Sequence, residues 1–252
     1  MIMTPARTAP LRPTQGPENV EQGSLADECV SFEGPSDVIA CAFYTDNYLP
    51  QVHALRHSLK SHKLRFFLKR VARQSTWEAT TRLKAAFVRD CLARFPNSHI
   101  LYLDADSVLR KTPDFLATVK TDVAFCVFNK PIRGKHCLQL SGGTIYVRNT
   151  DGGRRFAHEW AETAQHCGQF ATDEDMIHMA FGRLEGLTLT VLPMAFYKVF
   201  DNKRAQEPIV EHFQASRSQF KISKAIRRIK RVSVAVGVVA LLTFAGFLLA
   251  RA

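Results

Sequence analysis

The chain has 252 residues, 46% of them apolar and 10% aromatic, with 34 Lys and Arg against 23 Asp and Glu for a formal charge of +11. This length suits one medium α/β domain with attachments. The apolar content fills a core, which excludes wholesale disorder, collagen-like repetition and a disulfide-stapled miniprotein.

The basic excess is local. Ser218 to Ala252 carries seven basic residues and no acid, and without them the charge is +4. A general nucleic-acid-binding surface is therefore unsupported, and no nucleic-acid partner is expected. The six cysteines (Cys29, Cys41, Cys91, Cys126, Cys137, Cys167) lack CxxC spacing, and several sit in apolar runs. They read as packed free thiols in a reducing compartment, with no zinc cluster.

Residues 1–36 are rich in Pro, Gly, Thr and acids without an apolar period, and read as a disordered leader. From Asp37 the texture changes. Val38 to Phe43 is a short apolar run that suits a buried strand, followed by turn-forming Thr45, Asp46 and Asn47. The pattern then predicts a helix from Leu49 to Ser61, a strand from Leu64 to Leu68, and a helix from Ala79 to Phe95 with Leu83, Phe87, Cys91 and Leu92 on one face. A strand from His99 to Leu103 runs straight into Asp104-Ala105-Asp106. Further strands are expected near Val123 to Phe128, Gly143 to Val147, Leu187 to Leu192 and Ile209 to Phe213, with helices near Gly152 to Gln165 and Glu174 to Phe181. This alternation predicts an α/β fold with a mostly parallel mixed sheet flanked by helices.

The end of the chain carries a separate signal. Val232 to Ala250 is 19 residues without a charge, which as a helix spans roughly 28 Å, close to a bilayer's hydrocarbon core. Just before it, Ile222, Ile226 and Ile229 share a helical face among five basic residues, which suits an interfacial helix on anionic lipid. The expected organisation is a leader (1–36), an α/β domain (37–217), a basic amphipathic juxtamembrane helix (218–231) and a single-pass transmembrane tail anchor (232–250). The charge bias puts the α/β domain on the cytoplasmic side of the membrane.

Asp104 and Asp106 lie two apart at a strand end, where a turn lets both approach one ion. Paired carboxylates recruit Mn2+ or Mg2+, which keep open positions for phosphate oxygens. Two enzyme classes use such a string. In one, the metal neutralises the diphosphate of a nucleotide-sugar as the glycosidic bond breaks. In the other, a haloacid-dehalogenase-type phosphatase, Asp104 is the nucleophile, and Asp104 to Leu109 also satisfies its DxDxVL pattern. That pattern normally follows the first strand, whereas this pair comes after a full strand-helix-strand-helix unit. Other signatures fail: His53 and His57 lack the Glu of HExxH, and there is no GxSxG elbow, no GxGxxG after the first strand and no GxxxxGK[ST]. Trp77 reads as a half-buried anchor at a helix entry.

An ordered set of segments then becomes specific: WEATTRLK (77–84), YLDADSVL (102–109), LSGGTIYVRNT (140–150), TDEDM (172–176), VLP (191–193) and EHFQASR (211–217). The chain resembles the metal-dependent nucleotide-diphospho-sugar transferases, akin to glycogenin and the bacterial lipopolysaccharide sugar transferases, over roughly Asp37 to Lys221. The resemblance implies the GT-A type of fold and sugar transfer from a nucleotide-diphosphate donor, with a UDP-sugar favoured, to an acceptor it does not identify; the expected anchor would hold the enzyme near a lipid-linked or envelope acceptor.

The resemblance also implies roles. Tyr44, Thr45 and Asp46 match the segment that holds base and ribose, and Lys84 a lysine that faces the donor. Asp104 and Asp106 match the metal- and ribose-binding acids, and His212 the third metal ligand. Ser141, Gly142 and Gly143 match a loop close to the donor sugar. Asp173 and Asp175 match acids that hold sugar hydroxyls or bear on the reaction centre. Relatives continue the histidine segment as HxxGxxK, but here Ala215 replaces the glycine and Ser218 the lysine. Arg217 or Lys221 is then left to grip the diphosphate. No nucleophile is assignable, so the stereochemical outcome stays open. A membrane-tethered module that binds nucleotide-sugars without catalysis is the non-enzymatic alternative.

Overall fold

The computed structural model describes residues 25–132, 135–169, 171–202 and 206–215. Arg217, the expected juxtamembrane helix and the expected transmembrane tail lie outside the described residues. Among the described residues no helix is long and apolar enough to cross a membrane.

In chain order the elements are β1 (Glu28–Ser31), β2 (Val38–Tyr44), α1 (Leu49–Ser61), β3 (Arg65–Arg70), α2 (Trp77–Thr81), α3 (Leu83–Arg94), β4 (His99–Leu103), β5 (Ser107–Leu109), β6 (Val123–Ile132), β7 (Lys135–Val147), α4 (Asp151–His166), α5 (Asp173–Phe181), β8 (Leu189–Val191), β9 (Lys198–Val199) and β10 (Val210–His212). Seven strands form one sheet in the order β1-β3-β2-β4-β7-β6-β8, and β5, β10 and β9 form a smaller one.

β2 explains why both faces of the large sheet are covered. All its residues are buried, but they alternate between two cores. Ile39, Cys41 and Phe43 pack with Phe87 and Val88 of α3 and with Phe156 and Trp160 of α4. Ala40, Ala42 and Tyr44 pack with Leu55 and Leu59 of α1. The two-residue period of a strand sends alternate side chains to opposite faces, so a continuous apolar run marks a strand buried on both sides.

The sheet corrects the expectation of mostly parallel pairing. β2 runs parallel to β3 and β4, and β6 to β8, but β1–β3, β4–β7 and β6–β7 are antiparallel. For β4–β7 and β6–β7 the cause is the β6–β7 hairpin, whose link is too short for a parallel crossover. Both strands also outrun their expected bounds: β6 continues to Ile132, and β7 begins at Lys135 rather than near Gly143.

Two further expectations change. Within the stretch read as a leader, Glu28–Ser31 forms edge strand β1, in register with Phe66 to Lys69 of β3. Its alternately exposed and half-buried residues give no apolar run to read, and its Glu28 is held by Lys69 (3.2 Å) and Arg94 (2.9 Å). The single helix expected from Ala79 to Phe95 is two helices interrupted at Arg82. Thr80 and Thr81 turn their hydroxyls back onto the carbonyls of Thr76 and Glu78, a local competition that disfavours a continuous helix.

The small sheet places the functional end of the molecule. β5 follows the Asp104–Asp106 turn directly, and β10 pairs antiparallel to it with His212 opposite Ser107. A histidine remote in sequence is thereby set one residue from Asp106. Ser58 of α1 pins β5: its Oγ accepts the Leu109 N–H at 3.0 Å and donates to Leu55 O at 2.7 Å. Leu109 is buried, so Ser58→Ala leaves its N–H without a partner. The expected loss is about 1–3 kcal/mol of unfolding free energy in chemical denaturation; a change within error would show that β5 does not depend on α1.

Candidate functional site

The carboxyl ends of β2 and β4 open into a cavity of about 510 Å³, where ligands bind in open α/β sheets. Ionised side chains lining it are unbalanced. Among the described residues, five carboxylates (Asp104, Asp106, Asp173, Glu174, Asp175) face two cations (Arg73, Lys84).

The DxD segment supplies the first two acids through a turn. Asp104 O accepts from Ser107 N at 3.0 Å and from Ser107 Oγ at 2.7 Å, which brings both carboxylates to one side despite their strand spacing. Ligand atoms of Asp104, Asp106 and His212 lie within 4.8 Å of one another. Two hard carboxylates and one imidazole form a donor set that suits Mn2+ or Mg2+.

Burial tunes Asp106 and His212. It pushes the Asp106 carboxyl up to about 6, helped by Asp104 and opposed by the Ala215 N–H, which donates to Oδ2 at 2.7 Å. Burial also pushes His212 down to about 4 despite the pull of Asp104, so the ring is neutral near pH 7. Its plane is stacked on Tyr197, with centroids 4.2 Å apart and a 30° tilt. At the edge of the ring Thr144 Oγ1 stands 2.9 Å from Nε2. The substitution of Ala215 for the expected glycine does no harm to this arrangement, because the backbone N–H makes the contact and the tight turn is taken by Gln214 at φ 50°.

Lys84 of α3 is buried in the middle of the acids. Its Nζ lies 2.8 Å from Asp104 Oδ1, 2.5 Å from Asp173 Oδ2 and 2.9 Å from Gly142 O. Burial works against the charge, yet Asp104 and Asp173 hold the ammonium well above the usual lysine range. An ammonium has three N–H donors, and all three are engaged within the protein. Tyr102, whose hydroxyl donates to Asp104 Oδ1 at 3.1 Å, completes the cluster.

The glycines of β7 make this crowding possible. A Cβ on Gly142 would fall 2.3 Å from Asp173 Oδ2, and one on Gly143 would fall 2.7 Å from Tyr197 and 3.0 Å from Asp104 Oδ2. Only glycine permits such close approach.

Of the residues singled out in the sequence, Tyr44, Thr45, Lys84, Asp104, Asp106, Gly142, Gly143, Asp173, Asp175 and His212 line the cavity. Ser141 is fully buried behind it, its Oγ accepting from Gly143 N at 3.2 Å. Asp46 is not among the lining residues and forms a bidentate pair with Arg70 at 2.5 and 2.8 Å. Asp175 is exposed and serves the capping box that starts α5, accepting from Thr172 N at 2.9 Å. Trp77 is half-buried at the entry of α2, as read, and also lines the cavity. Thr144 and Tyr197 escaped the sequence reading. Thr144 sits inside a quoted motif and Tyr197 in a short 3-10 turn, and nothing about either residue type signals a histidine to be held.

The family model for nucleotide-diphospho-sugar transferases matches residues 50–220. A glycosyltransferase involved in glycosylation of the major capsid of PBCV-1 superposes with a TM-score of 0.56 at 12% identity, over 73% of this chain and 97% of that one. The apo form of the glycosyltransferase GlyE from Streptococcus pneumoniae TIGR4 superposes with a TM-score of 0.51 at 14% identity, over 72% of this chain and 55% of that one. At such identities the likeness is one of fold. No curated protein matches the sequence.

Two substitutions in the cluster should have opposite effects on the metal-free protein. Lys84→Met strands buried carboxylates and should cost about 3–5 kcal/mol. Asp106→Asn should stabilise at pH 7 by up to about 3 kcal/mol, because the fold disfavours the ionised carboxylate. With a folded value near 6 against 3.8 unfolded, the penalty is complete above pH 6 and absent below about pH 4, so the gain should vanish at acid pH. Denaturation curves at pH 4 and pH 7 check both; an Asn variant less stable than wild type at pH 7 would contradict the assignment.

Proposed function

This chain belongs to the nucleotide-diphospho-sugar transferase family, and we propose that its cavity binds the donor together with Mn2+ or Mg2+ held by Asp104, Asp106 and His212. It is a glycosyltransferase that uses a nucleotide-sugar donor. The phosphatase reading of Asp104 and the non-catalytic alternative are set aside, since the family match spans the acids on which the phosphatase reading rests.

The observation that carries the metal reading is the charge imbalance. A donor diphosphate is strongly anionic, and five carboxylates against two cations repel it. When bound among the three ligands, the cation neutralises the diphosphate and stabilises the nucleoside diphosphate as it leaves. Tyr44 and Thr45, at the end of β2, hold base and ribose at the cavity wall. Lys84 is a positioning residue: with its three N–H groups spent on Asp104, Asp173 and Gly142 O, it fixes the acids rather than gripping the donor. Asp173 and Asp175, at the start of α5, present oxygens to the sugar. Asp46 faces Arg70 and takes no part, and Arg217 remains the proposed diphosphate contact beyond the described residues. A UDP-sugar is the favoured donor.

A tail anchor at residues 232–250, behind the basic stretch 218–231, would keep this cavity on the cytoplasmic side near a lipid-linked or envelope acceptor. The uncharged run and the adjoining basic residues support this placement. The full chain should sediment with membranes after alkaline carbonate washing, whereas a chain ending at Arg217 should stay in the supernatant; a full chain released by carbonate would refute the anchor.

Release of free nucleotide from UDP- and GDP-sugars tests the reaction. Turnover should require Mn2+ or Mg2+, stop with EDTA, and fall by roughly 100-fold or more in Asp106→Asn. Full turnover in EDTA, or in the Asn variant, would sink the metal site while leaving the family assignment intact.

A further inference from the structure

One helical face lines the cavity from its mouth to its floor. Trp77, Thr80, Thr81 and Lys84 all belong to the lining, and residues three, four and seven apart share one face of a helix. The interruption at Arg82 leaves this face intact, because Arg82 keeps right-handed helical angles (φ −61°, ψ −25°). Burial falls off along it: Lys84 and Thr81 are buried, whereas Thr80 and Trp77 are half-buried. Seven helical residues set Trp77 about 10 Å outward from Lys84.

This wall offers a ligand carbon and no protons. Thr80 Oγ1 donates to Thr76 O at 3.0 Å and Thr81 Oγ1 to Glu78 O at 2.9 Å, so each hydroxyl has spent its one proton on the main chain. The wall at the start of α5 is the reverse, with the acceptors Asp173, Glu174 and Asp175 lining the cavity. Arg82 ties the two walls together by donating to the carbonyls of Gly168 and Gln169, just ahead of α5. An indole beside carboxylates matches the two chemistries of a sugar ring, which carries C–H groups over its face and hydroxyls around its edge. A lipid chain has no hydroxyl for the acids, and a phosphate meets them with like charge.

We propose that Trp77 stacks on a sugar ring of the acceptor, so that the acceptor is a saccharide and not a bare lipid phosphate. The inference rests on the donor reading above. Metal, diphosphate and transferred sugar take the buried end near Lys84, Asp104 and Asp173, and the group that arrives second meets Trp77 at the mouth. There the electron-rich face of the indole attracts polarised C–H groups, while the acids accept from the hydroxyls.

The test uses the full chain and its own fluorescence. The chain has two tryptophans, and the other, Trp160, is fully buried in the core, so quenching of the emission by acrylamide reports on Trp77. The probes are the methyl glycosides of glucose, galactose, mannose and N-acetylglucosamine, with a short-chain phosphatidic acid as the lipid-phosphate control. Each is added with UDP and Mn2+ present and again without them. At least one glycoside should lower the quenching constant roughly 2-fold or more, in keeping with the extent to which pockets cover their ligands, and the phosphatidic acid should not. Trp77→Ala should weaken that glycoside about 3- to 10-fold in calorimetry, with Trp77→Phe in between. Shielding by no glycoside, shielding by phosphatidic acid, full shielding by UDP and Mn2+ before any glycoside is added, or equal glycoside binding in the Ala variant would each overturn the proposal. Failure of UDP to bind would overturn the donor reading instead, and the glycoside series on the free chain would still judge Trp77.

Discussion

The ammonium of Lys84 ties the functional end of this molecule together. It reaches from α3 to the turn after β4, to the main chain of β7 and to the first residue of α5, through Asp104, Gly142 O and Asp173. Four segments distant in sequence thus share one charge. Burying that charge is unfavourable, and the two carboxylates around it, joined by Tyr102, reverse the balance. The same contacts oblige β7 to run close to the acids, which is why Gly142 and Gly143 bear no side chain. Lysine, glycines and acids are therefore one constraint expressed at several positions.

A second layer is built around the surplus of negative charge that Lys84 leaves uncompensated. Asp106 is driven toward the neutral form by burial and by its neighbour Asp104, while His212 is driven toward the neutral form from the other side of the pH scale. Such a site is costly to the empty protein and suited to a cation, a familiar tension between stability and function. Its geometry depends on the small sheet, where the β5–β10 register sets His212 opposite Ser107. The large sheet supplies the platform, and the small sheet brings His212 to the two acids.

Much of this was legible before any coordinates. The run from Val38, the helix from Leu49 and the strand ending in Asp104 have strong local patterns, and the structure returns them with nearly the same bounds. What failed to show was whatever lacked a local apolar signature. β1 alternates between exposed and half-buried, and β5 and β9 hold three and two residues. The antiparallel insertion of β7 was equally hidden, since strand direction follows from connection geometry and not from composition. Asp46 illustrates a different limit: its place after β2 carries no sign of its pairing with Arg70, 24 residues further along the chain.

The residue types and their order, then, determined the α/β architecture, the acid pair at a strand end, the glycine pair and the transferase family. These are properties of short segments, where period, spacing and side-chain chemistry speak for themselves. The tertiary structure alone decided that Lys84 spends all its donors inside the protein, that Ser141 stands behind the cavity, and that His212 is held between Tyr197 and Thr144. Each of these depends on distances between segments that only the folded chain brings together.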